Sequence, residues 1–144
     1  VHVTLRARAG LPSFRQQRVH ALVVRTLVDR RSAPYGRDFQ VVEYSIRRDH
    51  LHIILEAEDK RALRSGASGQ IIACAKQRNK LLLRERGKVW AERYRAHELA
   101  SPREVRNALS YVLQNDKKHG DITFGHVADR HSSAAQFGVG RSRC

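Results

Sequence analysis

The segment from Gln40 to Glu56 constrains this chain more than any other. Gln40 to Ile46 and His50 to Glu56 both read as strands, with apolar residues recurring at every second position, and only Arg47-Arg48-Asp49 separates them. Period two marks a strand whose two faces meet different surroundings. A connection this short obliges the two strands to pair antiparallel, as a hairpin. Val42, Tyr44 and Ile46 are expected on one face of the first strand, and Leu51, Ile53 and Leu55 on one face of the second. A lone hairpin cannot cover such a face, so the flanking segments must.

Those flanks supply the cover. Val1 to Arg6 alternates as a strand and is broken by Gly10-Leu11-Pro12. Ser13 with Gln16 has capping-box spacing, predicting a helix to about Asp29 with Phe14, Val19, Leu22, Val23 and Leu27 buried. Arg30 to Gly36 reads as a loop. Arg61 to Arg86 reads as a long helix striped by Leu63, Ala67, Ile71, Cys74, Leu81 and Leu82, weakened by Gly66 and Gly69 and stopped at Gly87. Val89 to Glu98, with Trp90 and Tyr94, is expected to be a fourth strand. Ser101-Pro102-Arg103-Glu104 opens a last helix with a cap, a first-turn proline and a box glutamate. Its stripe is Val105, Leu109, Val112 and Leu113, and Lys117, Lys118 and His119 suit the negative end of its dipole before Gly120. The order β-α-β-β-α-β-α predicts an α+β fold: a ferredoxin-like antiparallel sheet with an additional C-terminal helix. The domain is expected over residues 1–120. Residues 121–144 read as a tail that can dock through Ile122, Phe124 and Phe137.

Charge narrows the partners. Lys and Arg number 28 against 14 Asp and Glu, a net charge of +14 over 144 residues, with 41% hydrophobic residues. That is too apolar for a disordered basic tail and points to a folded domain that meets a polyanion, most often nucleic acid. No apolar run is long enough to span a membrane. Cys74 and Cys144 make neither a disulfide framework nor a zinc cluster, which fits a reducing, cytoplasmic, DNA-associated setting. A chain that opens at Val1 in a strand-like pattern is expected to have residues upstream, and no signal peptide is visible.

A site is needed to go from fold to function. His50 and His52 are one residue apart on a strand and so point the same way. Two imidazoles on one face can chelate one divalent cation; the plainer alternative is two exposed histidines. Tyr111 and Asn115 are four apart on the last helix and share a side of it, beside its apolar stripe. If that helix lies over the histidine face, Asn115 brings a carbonyl oxygen to the cation and Tyr111 brings a hydroxyl; otherwise they are a rim tyrosine and a solvated amide. Phenol is a weak nucleophile at its free pKa of about 10, but a cation that polarises a phosphate lets it attack phosphorus. Mg²⁺ prefers oxygen ligands, so the imidazoles lean the choice toward Mn²⁺ or a compromise between the two.

The stretches Tyr44 to Glu56 and Lys88 to Tyr94, with His50-Leu51-His52 and Tyr111…Asn115, resemble the HUH single-tyrosine transposases, and among them the REP-associated tyrosine transposases. The resemblance runs over roughly residues 1–120. It implies a metal-dependent endonuclease and strand transferase that nicks single-stranded DNA beside a hairpin through a 5′-phosphotyrosine. Tyr111 would be the nucleophile, and His50, His52 and Asn115 would hold Mg²⁺ or Mn²⁺. The partner would be hairpin-bearing single-stranded DNA, handled by a monomer or homodimer. Arg6, Arg8, Arg93, Arg95, Lys117 and Lys118 are candidate phosphate contacts. Two other readings also use the charge: a domesticated, non-cutting hairpin-binding module, and a simple polyanion neutraliser. Only the transposase reading also uses the paired histidines and the tyrosine helix.

Overall fold

The computed structural model describes residues 1–32, 38–82 and 87–114. The elements are β1 (His2–Arg6), α1 (Gln17–Ser32), β2 (Phe39–Ile46), β3 (His50–Ala57), α2 (Lys60–Leu81), β4 (Arg95–His97) and α3 (Pro102–Leu113). The strands form one antiparallel sheet in the order β2-β3-β1-β4. This is the expected ferredoxin-like arrangement, with β1 and β3 at its centre. Among the described residues no helix is long and apolar enough to cross a membrane.

One sheet face is dry. Val3 and Leu5 of β1, Val41, Tyr44 and Ile46 of β2, and Leu51, Ile53 and Leu55 of β3 are buried with Val19, Val23 and Leu27 of α1 and Ala67 of α2. Leu22, expected to be buried there, is only half-buried and is not part of that cluster. The predicted stripe of α2 is interrupted by two polar groups that are themselves buried. Gln70 Nε2 donates to the Thr26 carbonyl at 3.1 Å, joining the two helices. Arg78, 1% exposed, lays its guanidinium 4.1 Å over the Phe14 ring and donates to the Pro12 carbonyl. Cys74 is buried on the same stripe, as a small apolar residue would be. Gly66 answers the question raised by a glycine in a helix. The ring of Phe39 lies where its Cβ would be, so no larger residue lets α2 approach β2 this closely.

Several boundaries depart from expectation for physical reasons. Ser13 does not cap α1. Its hydroxyl accepts from the Arg15 N–H at 3.1 Å inside a turn, because the Phe14 N–H is tied at 2.8 Å to the Arg48 carbonyl and the chain must turn before the helix can start. Val42 does not share a face with Tyr44 and Ile46. The β2–β3 register shifts between Val41 and Glu43, a bulge that turns Val42 to the opposite face. Asp59 caps α2, accepting from the Ala62 N–H at 2.6 Å. The helix ends at Leu81 with Leu82 as its cap; residues 83–86 lie outside the described set, and Gly87 stands beyond the end.

The expected long fourth strand is two pieces. Trp90 forms a single bridge to Ala7, and β4 itself holds only Arg95–His97. Trp90 stays paired at its backbone, between the Arg8 N–H on the Val89 carbonyl at 2.8 Å and the Ala91 N–H on the Arg6 carbonyl at 2.9 Å, while its ring stacks on Phe14, centroids 5.7 Å apart, and donates from Nε1 to the Ile71 carbonyl at 3.2 Å. Pairing lapses between Trp90 and Arg95. Arg93 consequently lies outside any strand.

The α3 cap forms as the sequence predicts. Ser101 Oγ accepts from the Glu104 N–H at 3.3 Å, Pro102 occupies the first turn, and Glu104 Oε2 accepts from the Ala100 N–H at 2.6 Å. The helix closes at Leu113, with the Gln114 N–H on the Ser110 carbonyl. The expected extension through Lys117, Lys118, His119 and Gly120, and the tail with Ile122, Phe124 and Phe137, lie outside the described residues.

Candidate active site on the second sheet face

Helix α3 lies over the sheet face that α1 and α2 leave uncovered. Ala108 and Val112 bury themselves against Ile54 of β3, with Val42, Leu99, Leu109 and Tyr111 packed around them. The buried line of α3 therefore runs through Ala108 and Val112. Val105, expected in that stripe, is 37% exposed and overhangs an apolar cleft with Leu63 and Leu99. The bulge at Val42 matters here, since it delivers an apolar side chain to this face that an unbroken strand would have sent to the other.

Cross-strand register assembles the polar part of the face. Cα partners of an antiparallel pair share a face. His52 lies opposite Thr4 on one side and Ser45 on the other, His50 lies opposite Arg6, and His2 lies opposite Ile54 and His97. His50 and His52 thus occupy a central strand, with Thr4 and Arg6 beside them on the other central strand.

The two histidines and the tyrosine meet. The rings of His50 and His52 are edge to face with centroids 4.9 Å apart, and the Tyr111 ring stands edge-on to His52 at 5.1 Å, interplanar angle 89°. The flanking position of Tyr111 on α3 brings it onto the histidine face, as the spacing argument required. His52 is 6% exposed, whereas the His50 side chain is 20% exposed at the mouth of the site.

Partners of the ring nitrogens decide what the imidazoles can do. Asp49 Oδ1 lies 2.7 Å from His50 Nδ1. A carboxylate only accepts, so Nδ1 carries the hydrogen and, in neutral imidazole, the lone pair sits on Nε2. That hydrogen bond is also the main reason the Asp49 carboxyl is held below its ordinary range; Arg6 nearby adds to it. His52 Nδ1 faces His2 Nε2 at 3.1 Å and Thr4 Oγ1 at 3.3 Å. Burial, with His97 beside it, pushes the His2 imidazole below the usual histidine range.

Two imidazoles side by side, one with its Nδ1 hydrogen held by a carboxylate, fit two positions of a divalent metal site. Among the described residues no group of three His, Cys, Asp or Glu is placed to hold a metal. The third candidate ligand, Asn115, lies outside the described residues, as do Lys117 and Lys118. Arg6 and Arg8 are exposed at the end of β1, and Arg6 flanks His50. Arg95, opposite Thr4, is exposed and paired with Glu92 at 3.2 Å; Arg93 is exposed in the segment before β4.

Sequence reasoning missed His2, Thr4 and Asp49. His2 has no ligand-like spacing to any other histidine, and only the β1–β3 offset brings it to His52. Asp49 carried a usable signal, a carboxylate in the tight turn directly before His50.

A scan of protein-family models and a search of curated proteins find no match to the chain. A search of solved structures finds a REP-associated tyrosine transposase bound to a REP hairpin, with a TM-score of 0.59 and 16% identity, covering 84% of this chain and 68% of that one. The chain has the fold of that transposase. The transposase fold agrees with the antiparallel sheet and helices described above, and the likeness is one of fold.

Proposed function

We propose that the chain is a metal-dependent single-stranded DNA endonuclease and strand transferase that nicks beside hairpins. The observation that carries the reading is Tyr111, held edge-on against His52 with His50 beside it on the same face. A transposase-like fold and a net charge of +14 support it, as does the hairpin bound to the protein of similar fold.

In this reading Tyr111 Oη attacks the scissile phosphorus. One P–O bond forms to the phenol oxygen and the P–O3′ bond breaks. The phenol loses a proton and the departing 3′ oxygen gains one, so the exchange needs no energy source. The chain keeps the 5′ phosphate on Tyr111, and a 3′ hydroxyl reverses the step to join strands. His50 and His52 would hold Mg²⁺ or Mn²⁺, with Asn115 as the proposed third ligand; such an ion polarises the phosphate and offsets charge in the transition state. Asp49 fixes the His50 ring in a ligating tautomer. Arg6 and Arg8 at one edge, Arg93 and Arg95 at another, and Lys117 and Lys118 are the proposed phosphate contacts.

The test is a covalent adduct. Protein is incubated with hairpin-bearing single-stranded DNA from the flanks of its own gene, with Mn²⁺ or Mg²⁺, and run on a denaturing gel. A metal-dependent protein–DNA band, lost in both Tyr111→Phe and His52→Ala, is expected. Tight hairpin binding with no band would favour the non-cutting binding module instead.

A further inference from the structure

The histidine pair at the centre of the sheet is a trio. His2 sits on β1 with Cα partner Ile54, two residues along β3 from His52, so its ring reaches His52 on the diagonal. Diagonal neighbours on one face of an antiparallel pair are within reach of long and aromatic side chains. The reach is real here: the ring centroids are 5.2 Å apart, and His2 Nε2 points at His52 Nδ1 from 3.1 Å. The Tyr111 ring lies tilted to the His2 ring with centroids 6.0 Å apart, and His97 is the Cα partner of His2 on β4.

A nitrogen pair at this distance shares one hydrogen, and its location decides which nitrogen of His52 can bind anything else. With the hydrogen on His2 Nε2, His52 would accept at Nδ1 and carry its own hydrogen on Nε2, which closes Nε2 to a cation. With the hydrogen on His52 Nδ1, the lone pair is on Nε2. The neighbouring ring is already set the second way, since Asp49 can only accept from His50 Nδ1.

We propose that His2 is a positioning residue for His52: its Nε2 accepts the Nδ1–H of His52 and holds the ring in the tautomer whose Nε2 lone pair is available. The two site histidines are then set alike by unlike partners, His50 by the Asp49 carboxylate and His52 by the His2 imidazole. The geometry keeps His2 out of the ligand set, because its Nε2 is directed at His52. The link to cation binding rests on the function proposed above; the tautomer assignment does not. Outer partners of metal-binding histidines typically matter by roughly 10- to 100-fold in affinity.

The experiment reads the tautomer first, in the metal-free full chain. Long-range ¹H–¹⁵N correlation spectra of histidine-labelled protein are expected to show His52 protonated at Nδ1, and His2→Ala is expected to abolish that preference. His2→Gln, whose side-chain carbonyl can accept the same hydrogen, is expected to restore it, and stays informative if the alanine variant folds poorly. Mn²⁺ binding, followed by electron paramagnetic resonance, is expected to weaken about 10- to 100-fold in His2→Ala and to recover most of that loss in His2→Gln. His52 protonated at Nε2 in the unaltered chain would overturn the proposal. So would a tautomer that ignores both His2 variants and yields to Thr4→Val. A tautomer that follows His2 in a chain that binds no Mn²⁺ would support the positioning role and count against the metal-dependent nuclease.

Discussion

The two faces of the sheet are made from the same strands and have little else in common. Successive residues of β3 divide between them: Leu51, Ile53 and Leu55 enter the dry layer under α1 and α2, while His50, His52 and Ile54 face α3. The first face is covered by two long helices and is apolar almost throughout. The second is covered by one short helix anchored at Ala108 and Val112, and it gathers His2, Thr4, His50, His52 and Tyr111. The alternation lets stability and chemistry be set independently along one strand. Polar side chains are affordable on the second face because the first face already holds the sheet together, and each imidazole there has a named partner.

The comparison can be broken at either face. The largest effect is expected at Tyr111. Tyr111→Phe should reduce covalent adduct by roughly 10³-fold or more, the scale for removing a nucleophile, while thermal unfolding and hairpin affinity stay near those of the parent; a fall in all three would make the residue structural. Ile53→Ala should do the converse. Emptying that site on the dry face should cost about 2–5 kcal/mol in urea unfolding, with adduct formed per folded molecule unchanged. Gly66→Ala should cost about 1–3 kcal/mol, as overpacking does, because the added methyl meets the Phe39 ring. Arg6→Ala, at an exposed position beside His50, should lower the slope of log affinity against log salt by about one, measured on hairpin DNA; an unchanged slope would place Arg6 off the DNA path.

The smallest effect is a pH dependence on the helical side. Burial, with Arg15 beside it, holds the His20 imidazole below the usual histidine range. The unfolded chain takes up a proton near pH 6.5 that the folded chain resists. This contribution is whole above that pH and is lost as pH falls from there toward the folded value. His20→Gln should flatten the decline of unfolding free energy below pH 6.5; an unchanged slope would assign the decline to other groups.

Local signals carried most of the fold. Period two gave β1, β2 and β3, and the Ser101-Pro102-Glu104 cap gave the start of α3 to the residue. What failed was decided by contacts distant in sequence. The Val42 bulge depends on pairing with β3, the fourth strand is interrupted between Trp90 and Arg95 by how it meets β1, and Arg78 is buried because a carbonyl and an aromatic ring await it. The site was legible where one element sufficed, as for His50 with His52 and for Tyr111 beside its stripe. It was illegible where register decides. Nothing in the spacing of His2 predicts that β1 will lie against β3 at the offset that brings it to His52. Asn115, Lys117 and Lys118 lie outside the described residues, so their expected roles rest on the sequence and the resemblance.

The central claim is that Tyr111, and no other tyrosine, is the residue joined to DNA. The chain has four tyrosines, Tyr35, Tyr44, Tyr94 and Tyr111, and trypsin separates the last in the peptide from Asn107 to Lys117. The most direct measurement is mass spectrometry of the adduct formed with hairpin DNA and Mn²⁺, after nuclease and trypsin digestion. The account predicts a nucleotide attached through its 5′ phosphate to Tyr111. A nucleotide on any other residue, or unmodified Asn107–Lys117 peptide alone from a preparation that cleaves the DNA, would contradict it.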